Sequence, residues 1–174
     1  NTIRTPRTWL VHRRSGGASQ HPHRTLVRMP EGHTIHRIAK DHTPLLAGQL
    51  VRVSSPQCRF EADAALVDGT TLERIEAYGK HLFYWYSNGR VGHVHLGLFG
   101  KFRVYKGDVM PEPIGQVRMR MRSTLGTVDL AGPTDCSIGS ADERDAIVAR
   151  LGPDPLRRDA KPELALERMR KSAQ

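Results

Sequence analysis

Between residues 50 and 121 the chain changes character every few residues, because short runs rich in Val, Leu, Ile, Phe and Tyr alternate with turn dipeptides such as Asp68-Gly69 and Asn88-Gly89. Runs of this length suit strands better than helices, and Asn-Gly between two apolar stretches is a strong signal for a tight antiparallel hairpin. Strands are expected over residues 50–54, 64–67, 72–78, 81–86, 91–96, 102–105 and 117–121. Each presents an apolar side that must be covered, which predicts an antiparallel β-sandwich packed with helices, an α+β fold.

Helical patterning brackets the strands. Ile35, Ile38, Ala39, His42, Leu45 and Leu46 recur at three- and four-residue steps, so a helix from Glu31 should bury that face, with Pro44 as a kink point and Gly48 as a stop. Ser140 and Glu143 have capping-box spacing, Ile147, Val148 and Leu151 form an apolar stripe behind them, and Gly152-Pro153 ends the segment. Residues 162–171 begin a further helical pattern that stops at Gln174, which reads as the end of a fragment.

A chain of 174 residues allows one ordinary domain with a real core. No stretch approaches the ~20 apolar residues of a membrane span, so no membrane association is expected. The net charge of +9 suggests a polyanionic partner, but six Arg and no acid fall within residues 1–28, leaving 21 basic against 18 acidic residues elsewhere. Those first 28 residues lack a sustained hydrophobic period and read as a disordered extension or a misassigned start, with Met29 as the true beginning. Cys58 and Cys136 form no paired motif, which fits a reducing, cytoplasmic setting.

The chemistry concentrates in Met29-Pro30-Glu31-Gly32-His33-Thr34. If Met29 initiates and is removed, Pro30 has a free secondary amine, whose pKa near 8 leaves an appreciable neutral, nucleophilic fraction at physiological pH. Such an amine can attack C1′ of a nucleoside, expel the base and form an iminium, while Glu31 protonates the ring oxygen and moves protons. The plainer alternative makes Pro30 the first residue of a helix and Glu31 a first-turn acid. With residues 1–28 attached, the Pro30 nitrogen is an amide and this chemistry is closed to it.

The string MPEGHTIHRIA at residues 29–39 closely resembles the N-terminus of the formamidopyrimidine-DNA glycosylase and endonuclease VIII family, in its actinobacterial endonuclease VIII-like branch. Tyr78-Gly79-Lys80-His81-Leu82 resembles the family's hairpin lysine motif, which implies that Lys80 contacts a phosphate beside the lesion and assists β-elimination; the alternative is a solvated turn lysine. His95-Leu96-Gly97-Leu98-Phe99-Gly100 is similar to the family loop whose apolar residue fills the gap left by an extruded base, here Leu98, unless Leu98 and Phe99 are core. His95 and Lys101, flanking that loop, join the implied DNA contacts.

Val117, Met119 and Met121 alternate with Arg118, Arg120 and Arg122, so a strand here should bury the first set and present three guanidinium groups. That row either tracks phosphates, which puts Arg118 and Arg120 among the DNA contacts, or is an ordinary solvated face. Leu151-Gly152-Pro153-Asp154-Pro155-Leu156 resembles the family's junction into a helix-two-turn-helix domain. The implied organisation is an extension at 1–28, a catalytic sandwich at 29–138, and at 139–174 a linker helix with the start of that helical domain.

Where the formamidopyrimidine branch has an Arg and a Phe invading the duplex, this chain has Ala131-Gly132-Pro133-Thr134-Asp135-Cys136. The family's zinc finger, with its arginine for δ-elimination, has no counterpart here, so no cofactor is expected in this chain and zinc only in a longer member. The resemblance implies a monomeric bifunctional glycosylase and abasic-site lyase acting on oxidised pyrimidines in damaged DNA, in a bacterial nucleoid. Two rivals stay open: a non-catalytic nucleic-acid-binding β-module, and a metallohydrolase built on His33, His36, His93 and His95.

Overall fold

The computed structural model describes residues 30–160 and 162–172. The expectations for residues 1–28 and for Met29 lie outside the described residues.

Helix α1 (Gly32–Leu46) opens the fold and buries Ile35, Ala39, His42, Leu45 and Leu46, with Ile38 packed at the edge of the core. This is the face that the three- and four-residue spacing marks. The helix runs through Pro44, and Thr43 Oγ1 donates to the Ala39 carbonyl at 2.7 Å in the turn before it. Strand β1 (Gln49–Ser54) follows, then a short helix α2 (Glu61–Ala65). The strand expected over residues 64–67 is therefore corrected. Glu61 and Asp63 occupy the first turn of α2, where the helix dipole favours acids, and Ala64 and Val67 reach the core from a helix and a turn.

Strands β2 (Thr70–Tyr78), β3 (His81–Tyr86), β4 (Val91–His95), β5 (Lys101–Lys106) and β6 (Val117–Arg122) match the remaining expected runs. Two more, β7 (Gly126–Ala131) and β8 (Asp135–Gly139), complete an eight-stranded antiparallel sheet of order β5-β7-β6-β1-β2-β3-β4-β8. Strand β1 serves both sides. Gln49, Leu50 and Val51 pair with β2, whereas Arg52, Val53 and Ser54 pair with β6, so the sheet turns over along one strand.

The two half-sheets share a core with α1. Leu72, Leu82, Tyr84 and Tyr86 come from one side and Met119, Met121, Val128 and Leu130 from the other, all in one apolar cluster. Tyr86 Oη reaches Met121 Sδ at 3.6 Å across the layers, and His42 Nδ1 is bonded to Tyr84 Oη at 3.0 Å while its ring meets Phe102 edge-on. Burial pushes the His42 imidazole down to about 4, so it sits neutral in the core.

Helices α3 (Ala141–Arg150) and α4 (Pro162–Ser172) follow the sheet. The capping box of α3 is present, with Glu143 N–H donating to Ser140 Oγ at 3.2 Å and Ser140 N–H to Glu143 Oε2 at 2.7 Å. The expected apolar stripe is only half-buried: Ile147, Val148 and Leu151 are intermediate and α3 buries no residue fully. Charge fastens this region instead. Glu76 on β2 accepts from Arg144 of α3, from Arg157 Nη1 at 2.6 Å and from Trp85 Nε1 at 3.1 Å.

No described helix is long and apolar enough to cross a membrane.

Candidate active site

The N-terminus of α1 and the β2–β3 turn meet at one place because both come close in backbone. Gly32 lies where a Cβ would already touch the Gly79 carbonyl at 3.4 Å, and Gly79 turns the hairpin at φ +56°, a conformation other residues adopt only with strain. Asp154 locks the approach. Its Oδ2 accepts from His36 Nε2 at 2.7 Å and from Gly79 N–H at 2.8 Å, and its Oδ1 accepts from Leu156 N–H at 2.9 Å. Burial alone would oppose ionisation of this carboxyl, but the bonds from His36, Gly79 and Leu156 outweigh it and hold the carboxyl below its ordinary value. One buried carboxylate thus ties the helix, the hairpin turn and the segment after α3.

That arrangement brings Glu31 to Lys80, 49 positions apart in sequence: Lys80 Nζ lies 3.0 Å from Glu31 Oε1 and 2.9 Å from Oε2. Glu31 is the N-cap residue of α1 by backbone geometry, yet its side chain makes no capping bond and turns to the lysine. Pro30 precedes the cap and is half-buried. The plainer expectation, with Pro30 as the first helical residue and Glu31 as a first-turn acid, is corrected: the first helical residue is Gly32 and the first turn holds no acid.

Beside this pair opens a cleft of about 620 Å³, walled by Gly32, His33, Lys80, His81, His95 and the segment 151–156. Past His95 the chain makes a tight turn, with Gly100 N–H donating to the Leu96 carbonyl at 3.0 Å. Gly97 stands there at φ +62°, and any Cβ would collide with Thr134. The turn holds Leu98 and Phe99 outward, 42% and 73% exposed, which settles that neither is core.

The arginine row on β6 is corrected. A bulge separates Val117 from Met119, and Arg120 is buried rather than presented, forming a two-pronged pair with Asp129 at 2.6 and 2.7 Å. Arg122 pairs with Asp108 at 2.6 Å, and Arg118 lines a separate small cavity of about 60 Å³ with Gln57, Arg59 and Gly132. The expected solvated face is covered because the β5–β6 connection lies over it: Thr127 Oγ1 donates to the Val109 carbonyl at 2.7 Å and Arg103 to the Ile114 carbonyl at 2.7 Å. Lys101 is exposed at the start of β5.

The histidines separate into different jobs. His36 is bonded to Asp154 and His33 faces the cleft, while His93 and His95 join His81 in a stack. Among the described residues no group of three or more His, Cys, Asp or Glu side chains is placed to hold a metal ion. Ala131 ends β7 and Asp135 starts β8, and burial pushes the Cys136 thiol up to about 12. Asp154 and His81 carried no role in the sequence reading. The only hint for Asp154 was an acid between two prolines, and for His81 its place beside Lys80.

Residues 29–133 match a family model described as the formamidopyrimidine-DNA glycosylase N-terminal domain. The chain is 51% identical over 147 residues to endonuclease 8 1 of Mycobacterium tuberculosis, covering 83% of this chain and 55% of that protein. Endonuclease 8 of Pectobacterium atrosepticum is 30% identical over 147 residues, covering 81% and 55% respectively. The chain thus spans about half the length of the curated relatives it matches. Among solved structures, Lactococcus lactis Fpg (MutM) in complex with DNA containing FAPY-dG superposes with a TM-score of 0.63 at 21% identity, over 79% of this chain and 55% of that one, a likeness of fold. The chain therefore belongs to the formamidopyrimidine-DNA glycosylase family, whose N-terminal domain it carries.

Proposed function

We propose that this chain is the catalytic part of a DNA base-excision repair enzyme, a bifunctional glycosylase and abasic-site lyase that removes oxidised bases, pyrimidines foremost, from damaged DNA. The observation that carries the reading is the contact of Lys80 with Glu31, the residue that follows Pro30 in the chain, which sets a cation against the carboxyl group next in sequence to a candidate amine. The Pro30 nitrogen attacks C1′ of the extruded nucleoside, the base departs, and Glu31 delivers a proton to the ring oxygen as the sugar opens to an iminium. Lys80 holds the neighbouring phosphate, and β-elimination then breaks the strand. Leu98 fills the vacated position in the base stack, with Phe99 beside it, and His95, Lys101 and Arg118 supply further contacts.

Helices α3 and α4 are read as the linker and the start of a helix-two-turn-helix domain, and the protein as a monomer working at the bacterial nucleoid. No step runs through zinc, for which no ligand set is at hand among the described residues.

The reaction needs an unacylated Pro30, since an amide nitrogen has no free lone pair. Borohydride reduction on DNA containing an abasic site tests this. A chain beginning at Pro30 should give a covalent adduct, and the same chain with residues 1–29 attached, or with its terminal amine acetylated, should give none. Absence of adduct from the Pro30 chain, or an equal yield after acetylation, defeats the proposal. The binding-module alternative corresponds to salt-sensitive DNA binding without adduct, and the metallohydrolase alternative to activity lost on chelation.

A further inference from the structure

Beside the Lys80 cleft, three imidazoles stack across the sheet. His81 opposes His95 in the β3–β4 ladder, with ring centres 4.8 Å apart, and also stacks on His93 at 5.1 Å. His81 Nδ1 lies 2.8 Å from His93 Nε2, and His93 Nδ1 lies 3.4 Å from Asp135 Oδ2. A carboxylate only accepts, so Asp135 favours the His93 tautomer with its proton on Nδ1. Neutral His93 is then an acceptor at Nε2, and the short contact makes His81 Nδ1 the donor. Burial first, then His93 and His95, push His81 down to about 4, with Arg150 acting the same way and Asp135 opposing; burial likewise lowers His93. Both rings are therefore neutral, and His81 Nε2 has an unshared pair that no hydrogen bond among the described residues occupies. His81 lines the same cleft as Lys80.

We propose that Asp135, His93 and His81 form a proton wire ending in an acceptor, His81 Nε2, at the wall of the Lys80 cleft. The proposal rests on the lyase reading above and assigns the wire to β-elimination. The C2′–H bond of the iminium breaks, its electron pair forms the carbon–carbon double bond, and the 3′ phosphate leaves with the electrons of its C–O bond. The C2′ proton goes to His81 Nε2, the Nδ1 proton of His81 to His93 Nε2 along the 2.8 Å hydrogen bond, and the Nδ1 proton of His93 to Asp135 by way of water, since those two stand at an ion-pair distance of 3.4 Å. The Asp135 side chain is 50% exposed and returns the proton to water. Each ring gains one proton and loses one, so neither stays charged in its buried setting. Exchange with water restores the starting tautomers when the cleft empties.

Two measurements test the wire. Long-range proton–nitrogen correlation spectra of the imidazoles in the whole chain should show His81 and His93 both protonated on Nδ1 alone; a proton resident on His81 Nε2 overturns the proposal. His81→Asn keeps a polar group where Nδ1 stood and deletes Nε2. With a chain beginning at Pro30 on abasic-site DNA, it should trap as much uncleaved-strand adduct as the parent while slowing strand cleavage by about 100-fold, the scale of general-base catalysis. Loss of adduct and cleavage together, or no change in either, overturns it. A parent chain that traps nothing refutes the lyase reading itself, and the acceptor assignment then stands or falls by the spectra.

Discussion

The half-sheet of β6, β7 and β5 and the half-sheet of β2, β3, β4 and β8 both carry charged and polar side chains on strands, yet they use them in opposite ways. Strand β7 is buried at every position, and Arg120 and Asp129 beneath the β5–β6 connection satisfy each other out of reach of any partner. Strand β8 buries no residue fully, and the polar residues of its half-sheet, Lys80, His81, His93 and His95, are arranged toward a cleft or its flank. Charged and polar side chains are structural where a connection folds over them and line a cleft where the sheet edge is left open. Asp154 shows the intermediate case, a buried carboxylate whose three bonds hold the open side in shape.

The sharpest way to break this comparison is to open the closed side. Arg120→Ala leaves Asp129 charged, buried and alone, and should cost about 3–5 kcal/mol of stability in urea unfolding. The double change Arg120→Met with Asp129→Leu should recover most of that loss. If Arg120 contacts phosphate instead, the alanine variant loses DNA affinity and little stability.

The layer between the halves gives the next effect. His42 has a folded pKa of about 4 against an ordinary 6.5, so between those values the unfolded chain binds a proton that the folded chain refuses. Stability is therefore full above pH 6.5 and falls as the pH drops toward 4, by about 3 kcal/mol in all. His81 shifts the same way, but its half-exposed ring contributes less. Urea midpoints across pH should follow this course in the parent, and His42→Leu should flatten it. An unchanged slope in that variant removes His42 as the cause.

On the open side, Gly97→Ala sets a Cβ against Thr134 at positive φ and should destabilise by about 1–3 kcal/mol, read from the thermal midpoint. Smallest of all, Leu98→Ala should shift stability by no more than about 0.5 kcal/mol, because the side chain is exposed. Under the proposed function the same change weakens binding to abasic-site DNA, so a variant that loses stability but not affinity contradicts the division drawn here.

Much of the fold was legible because hydrophobic period is a local property. The buried face of α1, the runs that became β1 to β6 and the Ser140–Glu143 cap all follow from spacing within a few residues. Strand β7 was missed because Gly126 and Asp129 are poor strand formers, and it exists through pairing with β5 and β6 and through Arg120. The run at residues 64–67 misled in the opposite sense, since its apolar content suits a strand while its acidic approach suits a helix. At the candidate site, the family resemblance singled out the two segments that the Glu31–Lys80 contact joins. Asp154 and the His81–His93–Asp135 series were not legible, because nothing local marks a contact between residues more than a hundred positions apart or a hydrogen bond across a ladder.

By itself the sequence determined the α+β class, the helix face, most strands and the short motifs around Pro30 and Lys80, since each depends on neighbours along the chain. Tertiary structure alone decided which arginines are buried in ion pairs, which histidines are hydrogen-bonded to each other, and that the Glu31 side chain turns from the end of α1 to meet Lys80. Those outcomes depend on burial and on pairing between distant segments, and a side chain's charge state and partners are fixed only when the fold excludes water around it.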